Sequence, residues 1–218
     1  MAKDMSEHPV RIRVDSVTLQ GVLAIPSGAP GLVLFAHGSG SSRHSPRNNY
    51  VAAVLRQAGI GTLLFDLLTE EEDSVYKTRF DIHLLTDRLT AATKWLTARP
   101  ETMKLKIGYF GASTGAAAAL EAAAVLGPTI RAVVSRGGRP DLAGPVLYRV
   151  KAPTLLIVGG HDDAVVKLNQ HAYDRLKTEK DLVIVPGATH LFEEPGALEE
   201  VARLAADWFM RHLGTKSA

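Results

Sequence analysis

The chain has 218 residues, with 25 Lys and Arg against 23 Asp and Glu, 46 % apolar side chains, 6 % aromatics and no cysteine. A chain of this length buries roughly 70 % of the surface its unfolded form exposes, so its core needs no disulfide, metal or obligatory partner. A formal charge of +2 without a basic block gives no electrostatic reason to expect nucleic acid or an anionic membrane as partner, and the missing cysteine excludes thiol catalysis and Cys-ligated metals.

The first nine residues hold two acids, a lysine and a histidine where a signal peptide needs an apolar run, and no stretch is long and apolar enough to span a bilayer. The expectation is a cytoplasmic protein forming one domain over residues 1–218, with residues 1–9 as a flexible leader. Residues 10–14 and 17–25 alternate apolar and polar, which predicts an antiparallel hairpin with one wet face. Short continuous apolar runs follow at 31–36, 60–65, 106–110, 130–134, 154–158 and 182–185, as buried parallel strands look.

Helices are predicted between them. Ser45-Pro46 opens one that runs to Ala58, where Gly59 stops it. Ile82, Leu85, Leu89, Ala92 and Leu96 recur at helical steps, and residues 113–126 form an alanine-rich helix able to approach a sheet closely. Residues 165–177 and 194–213 carry two more amphipathic patterns. The acidic run Glu70-Glu71-Glu72-Asp73 reads as a solvated loop face, and residues 134–153 as a loop. This alternation predicts an α/β fold: a mostly parallel twisted sheet with an N-terminal antiparallel hairpin, helices on both faces and right-handed crossovers.

The strand at 106–110 runs into Gly111-Ala112-Ser113-Thr114-Gly115 and then into the alanine-rich helix, so a G-x-S-x-G pattern sits in the strand–turn–helix context that gives it meaning. The helix start favours negative charge developing at Ser113. A carboxylate and a histidine follow in the order Ser, Asp, His. Gly159-Gly160-His161-Asp162-Asp163 closes one strand and Gly187-Ala188-Thr189-His190 the loop after the next. A serine nucleophile needs a histidine base whose tautomer a carboxylate fixes. Asp162 is preferred for that carboxylate over Asp163, which suits a first-turn acid, and over Asp141, which lies in an Arg139-Pro140-Asp141 turn.

The Gly-rich loop His37-Gly38-Ser39-Gly40 ends the strand at 31–36, and the backbone N–H groups of Ser39 and Thr114 are the candidate oxyanion-hole donors. His37 is expected to be structural, bonded to its own loop. Arg43, His44 and Arg47 read as a solvated basic helix start, with attraction of an anionic substrate as the rival reading. The remaining histidines show no metal-ligand spacing, so no metal or other cofactor is expected.

These four motifs, built on His37, Ser113, Asp162 and His190, resemble the dienelactone hydrolase-like branch of the α/β-hydrolase superfamily over nearly the whole chain. The resemblance implies Ser113 as nucleophile, Asp162 as acid, His190 as base, and Ser39 and Thr114 at the oxyanion hole. Dienelactone hydrolases proper use a cysteine nucleophile, so the implied activity is that of a serine esterase acting on a small-molecule ester. Similar domains also occur fused to a phosphoribosyltransferase domain, for which 218 residues leave no room. Residues 66–80 and 134–153 are too short for a lid domain, which predicts an open site for short-acyl esters. The rival readings are a non-catalytic ligand-binding protein of the same fold, and the same triad used for lactone, amide or perhydrolysis chemistry.

Overall fold

The computed structural model describes residues 7–214. Strands β1 (Glu7–Val14) and β2 (Val17–Ala24) form the hairpin, with Glu7 opposite Ala24 and Val14 opposite Val17. Pairing therefore includes residues 7–9, which were expected in the leader. The correction has a simple cause: ladder hydrogen bonds need no apolar side chains, and Pro9, which has no N–H to offer, is tolerated on an edge strand. Residues 1–6 of that expected leader lie outside the described residues.

Six further strands complete one sheet: β3 (Gly31–Ala36), β4 (Gly61–Phe65), β5 (Lys106–Ala112), β6 (Ile130–Arg136), β7 (Thr154–Gly159) and β8 (Lys180–Val185). Their order is β1-β2-β4-β3-β5-β6-β7-β8, antiparallel as far as the β2–β4 pair and parallel from there on. β3, β4 and β7 are buried at every residue, the signature of strands covered on both faces.

Alternate residues feed two cores. Helices α1 (Pro46–Gln57) and α6 (Ala197–Leu213) cover one face, where Val51, Leu55, Val201, Ala205 and Phe209 meet Val33, Phe35 and Phe110. On the other face α3 (Ile82–Thr97), α4 (Thr114–Leu126) and α5 (Asp163–Arg175) pack Leu85, Leu89, Ala117, Leu120 and Ala172 against Leu32, Leu34 and Tyr109. The α/β architecture expected from the alternation is the one observed, and among the described residues no helical domain is inserted between its strands.

Three local expectations change. The acidic run is a short helix, α2 (Glu70–Ser74), closed by a capping box: Thr69 Oγ1 accepts from Glu72 N–H at 3.2 Å and Glu72 Oε2 accepts from Thr69 N–H at 2.9 Å. Glu72 also accepts from Arg88 at 2.7 Å, so it is a tethered residue and not a solvated one. Residues Pro140–Arg149, expected as loop, wind as 3₁₀ turns. Helix α6 begins at Ala197 and not at Glu194, because Pro195 precedes Gly196, whose φ of +82° breaks the helical path.

Candidate functional site

β5 ends at Ala112, and Ser113 turns the chain into α4 with φ +51° and ψ −121°, a conformation that L side chains rarely adopt. The glycines around it are demanded by space. A Cβ on Gly115 would lie 2.1 Å from the carbonyl oxygen of Ala36, and one on Gly111 would lie 2.5 Å from the Cα of Ala116. The turn is pinned from outside: Ser113 N–H donates to Arg136 O at 3.3 Å, and Arg139 N–H donates to Ser113 O at 3.1 Å. Ser113 thus protrudes from a fixed, strained elbow at the carboxyl edge of the sheet. The expected helix start at Ser113 moves to Thr114 for the same reason.

At the same edge, His190 Nδ1 donates to Asp162 Oδ2 at 2.7 Å. Their loops are sewn together, since His161 N–H donates to Ala188 O and Gly160 N–H to Val185 O, both at 2.9 Å. Gly159 allows this approach, because a Cβ there would meet the Ala188 carbonyl at 2.5 Å. Asp162 is the residue before α5 and is partly buried, with its side chain free of any capping bond; Asp163 is exposed in the first turn, the role expected of it. Asp141 is held by Arg139, which donates to it through Nε and a terminal nitrogen, both at 2.8 Å. The structure therefore brings Asp162 and His190 together and leaves the competing carboxylates elsewhere. Among the described residues Ser113 Oγ makes no hydrogen bond to His190. Such bonds often tighten only when substrate arrives. Gly137 closes the gap between the two loops, a Cβ on it lying 3.6 Å from His190 Cε1.

The Gly-rich loop lies directly beside the serine, with a Cβ on Gly38 falling 3.0 Å from Ser113 Cβ. Ser39 N–H donates to Thr114 Oγ1 at 3.0 Å. His37 is structural, as expected, though it holds more than its own loop. Leu67 N–H donates to Nε2 at 3.0 Å, which leaves the proton on Nδ1 to donate to Gly38 O at 3.0 Å. Burial is the largest influence on its pKa and lowers it, outweighing the Gly38 bond and the carboxylates of Asp66 and Asp73, so the ring stays neutral. Of the basic residues after this loop, Arg43 pairs with Asp66 and Arg47 with Glu193, so neither is the free solvated charge expected.

A cleft of about 830 Å³ lies on the far side of that loop, lined by His37, Ser41, Arg43, Asp66 and the acidic helix but by neither Ser113 nor His190. Ser113 and His190 are half-buried at the carboxyl edge of the sheet. Among the described residues no three His, Asp or Glu side chains are grouped to hold a metal ion, and no helix is long and apolar enough to cross a membrane. One residue beside the serine escaped sequence reasoning. Arg136 ends β6 buried, and the signal was a charge closing a strand with the apolar run Ala132–Val134, followed at once by Gly137-Gly138.

The geometry has close parallels. Over 95 % of this chain and 98 % of the other, a dienelactone hydrolase from Anabaena variabilis shares 60 % identity at a TM-score of 0.93. Est1E from Butyrivibrio proteoclasticus (16 % identity, TM-score 0.81, 95 % and 99 % coverage) and the Pyrococcus furiosus esterase Pf2001 (22 %, 0.78, 96 % and 92 %) share the fold. A Mycobacterium tuberculosis protein with the provisional name phosphoribosyl transferase is 57 % identical over 209 residues, 96 % of this chain and 47 % of its own length. The chain thus spans about half of that curated relative. A family model matches residues 19–214, from the second strand of the hairpin to the end of α6, and by that match the chain belongs to the dienelactone hydrolase family of α/β-fold hydrolases.

Proposed function

We propose that the protein is a serine hydrolase that cleaves small, short-acyl carboxylic esters through an acyl-enzyme on Ser113. The observation that carries this is the 2.7 Å bond from His190 to Asp162 at the same sheet edge as a serine held in a strained elbow. The strain is the argument against a purely binding role, because a ligand site gains nothing from a serine at φ +51°. Esterase neighbours on the same fold support the choice of substrate class.

In this reading His190 Nε2 accepts the Ser113 proton as Oγ attacks the ester carbonyl. Asp162 keeps the other ring proton on Nδ1 and stabilises the imidazolium that forms. The oxyanion meets the N–H of Thr114, which as the first residue of α4 has no intrahelical acceptor, and the N–H of Ser39. Ser39 N–H must exchange its bond to Thr114 Oγ1 for one to the oxyanion. The imidazolium then protonates the leaving alcohol, and water, activated by the same histidine, releases the acid. These residues carry every step, so the proposal needs no cofactor.

The test is labelling with a fluorophosphonate probe followed by peptide mapping, with p-nitrophenyl acetate turnover measured in parallel. An adduct on Ser113 with loss of turnover is expected. Turnover that survives full labelling, or an adduct on another residue, overturns the assignment.

A further inference from the structure

Asn169 stands fully buried in the middle of α5, an unfavourable place for a residue that forms helices poorly. Its Nδ2 donates twice, to Val165 O one turn back at 2.8 Å and to Gly138 O at 3.0 Å. Its Oδ1 is buried and has no partner among the described residues. Exchanging the amide oxygen and nitrogen would set the oxygen against two carbonyls, so the orientation is fixed. An orphaned buried oxygen costs stability, and what the residue contributes therefore lies with its two donors.

The bond to Gly138 ends one step from the nucleophile. Gly138 C=O and Arg139 N–H belong to one peptide unit, and Arg139 N–H donates to Ser113 O at 3.1 Å. Ser113 C=O and Thr114 N–H belong to the next unit, and Thr114 N–H, at the start of α4, has no intrahelical acceptor. The C=O and N–H of a trans peptide point opposite ways. The dipoles therefore run head to tail from Asn169 through Gly138–Arg139 to Ser113–Thr114, with the positive end last. Each bond fixes the plane of the next unit and polarises its N–H. Ser113 O also accepts from Ala116 N–H at 3.1 Å, but that donor belongs to α4 itself, whereas the Arg139 bond ties the strained elbow to another element. Gly138 is wedged in place, since a Cβ on it would collide with Ser135 Oγ and lie 2.6 Å from Ala116 Cβ.

We propose that Asn169 is a positioning residue: through the Gly138–Arg139 peptide it sets the plane of the Ser113–Thr114 peptide, and so aims and polarises Thr114 N–H toward negative charge developing at Ser113. The relay is a property of the fold, and rests on the ester-hydrolase reading only for the oxyanion that it serves.

Two variants of the full chain test it. Asn169→Leu loses both bonds at similar volume. Asn169→Ser keeps one, because a helical serine bonds back to the carbonyl a turn earlier, here Val165 O, and cannot reach Gly138 O; it carries the test should Asn169→Leu fail to fold. With p-nitrophenyl acetate, kcat should fall about ten- to thirtyfold in Asn169→Ser, part of the roughly 10²–10³ that loss of a whole oxyanion donor costs, while KM stays within about twofold. Inhibition by a trifluoromethyl ketone, whose serine adduct carries an oxyanion, should weaken in step with kcat/KM. Amide exchange at Arg139, followed by NMR, needs no turnover and should quicken about tenfold in both variants, with the amides of β4 unchanged. Unchanged Arg139 exchange, or an unchanged kcat in Asn169→Ser, overturns the relay. A wild type that turns over no ester although Arg139 exchange quickens in the variants overturns the ester reading and leaves the relay standing.

Discussion

The backbone amide of Ser39 donates to the side-chain oxygen of Thr114 at 3.0 Å, joining the loop after β3 to the first residue of α4. The other end of the same peptide unit is also held, because Gly38 O accepts from His37 Nδ1 at 3.0 Å. A trans peptide points its C=O and N–H in opposite directions, so two bonds on opposite sides fix its plane. Replacing Thr114 by valine keeps the volume and removes the acceptor. Thr114→Val should lose about 1 kcal/mol and roughly 2–4 °C in Tm by thermal unfolding, while Thr114→Ser should stay near the wild type. Equal losses in both would mean that packing, not the hydrogen bond, holds the loop.

The elbow makes stability and activity part company at one residue. Ser113→Gly removes the side chain that makes φ +51° unfavourable and should raise stability by about 1 kcal/mol. Ser113→Ala keeps the strain and should unfold near the wild-type temperature. Both should be inactive toward p-nitrophenyl acetate. A less stable glycine variant would show that the elbow carries little strain.

The proposed mechanism gives two adjacent carboxylates different roles. Asp162→Asn should lower kcat by roughly 10⁴, the cost of a misoriented histidine in serine-protease triads, while Asp163→Asn, exposed in the first turn of α5, should change it less than about threefold. Combining Ser113→Ala with His190→Ala should cost little beyond either single change, since the pair acts as one unit. Multiplicative losses would assign the two residues separate roles.

Burial of His37 gives stability a pH signature. Its folded pKa lies below the ordinary 6.5, so on acidification the unfolded chain takes up a proton that the folded one refuses. Stability should decline as pH falls below 6.5 and go on declining until the lower folded value is passed. The acid limb of a Tm-against-pH curve should be shallower by one proton in His37→Gln, whatever its Tm at pH 8. An unchanged slope would place the titrating group elsewhere.

The short-acyl part of the proposal can be tested by substrate length, since neither Ser113 nor His190, both at the carboxyl edge of the sheet, lines the 830 Å³ cleft. Each CH₂ contributes about 0.8 kcal/mol only where protein covers it. With p-nitrophenyl esters, kcat/KM should peak between acetate and butyrate. A preference for laurate, or a jump in rate above the substrate's solubility limit, would require a covering segment over this edge.

Much of this was legible from residues that announce themselves. Gly111, Ser113 and Gly115 between a buried strand and an alanine-rich helix fix the elbow, because the backbone there leaves no room for other side chains. Asp162 and His190 were legible from their order and from strand ends alone. The acidic helix was misread although Thr69 and Glu72 stand at capping-box spacing; four successive acids read as solvent-facing until Arg88, brought in by α3, engages one of them. Arg136 was passed over although two glycines follow it directly, because its burial beside the ring of Phe192 is a property of tertiary structure.

The strand order carries a consequence for how the chain is made. β3 lies between β4 and β5, so the partner on one side of its fully buried residues, Gly31–Ala36, is not synthesised until Lys106–Ala112. A nascent chain with β4 in place but not β5 displays an apolar strand with an open edge, a template for joining another copy. Refolding yield should therefore fall with protein concentration. The Gly-rich loop, rooted in β3, and the serine, rooted in β5, come into register only when that edge is closed, so recovered hydrolysis would report the completed sheet and not the earlier formation of helices.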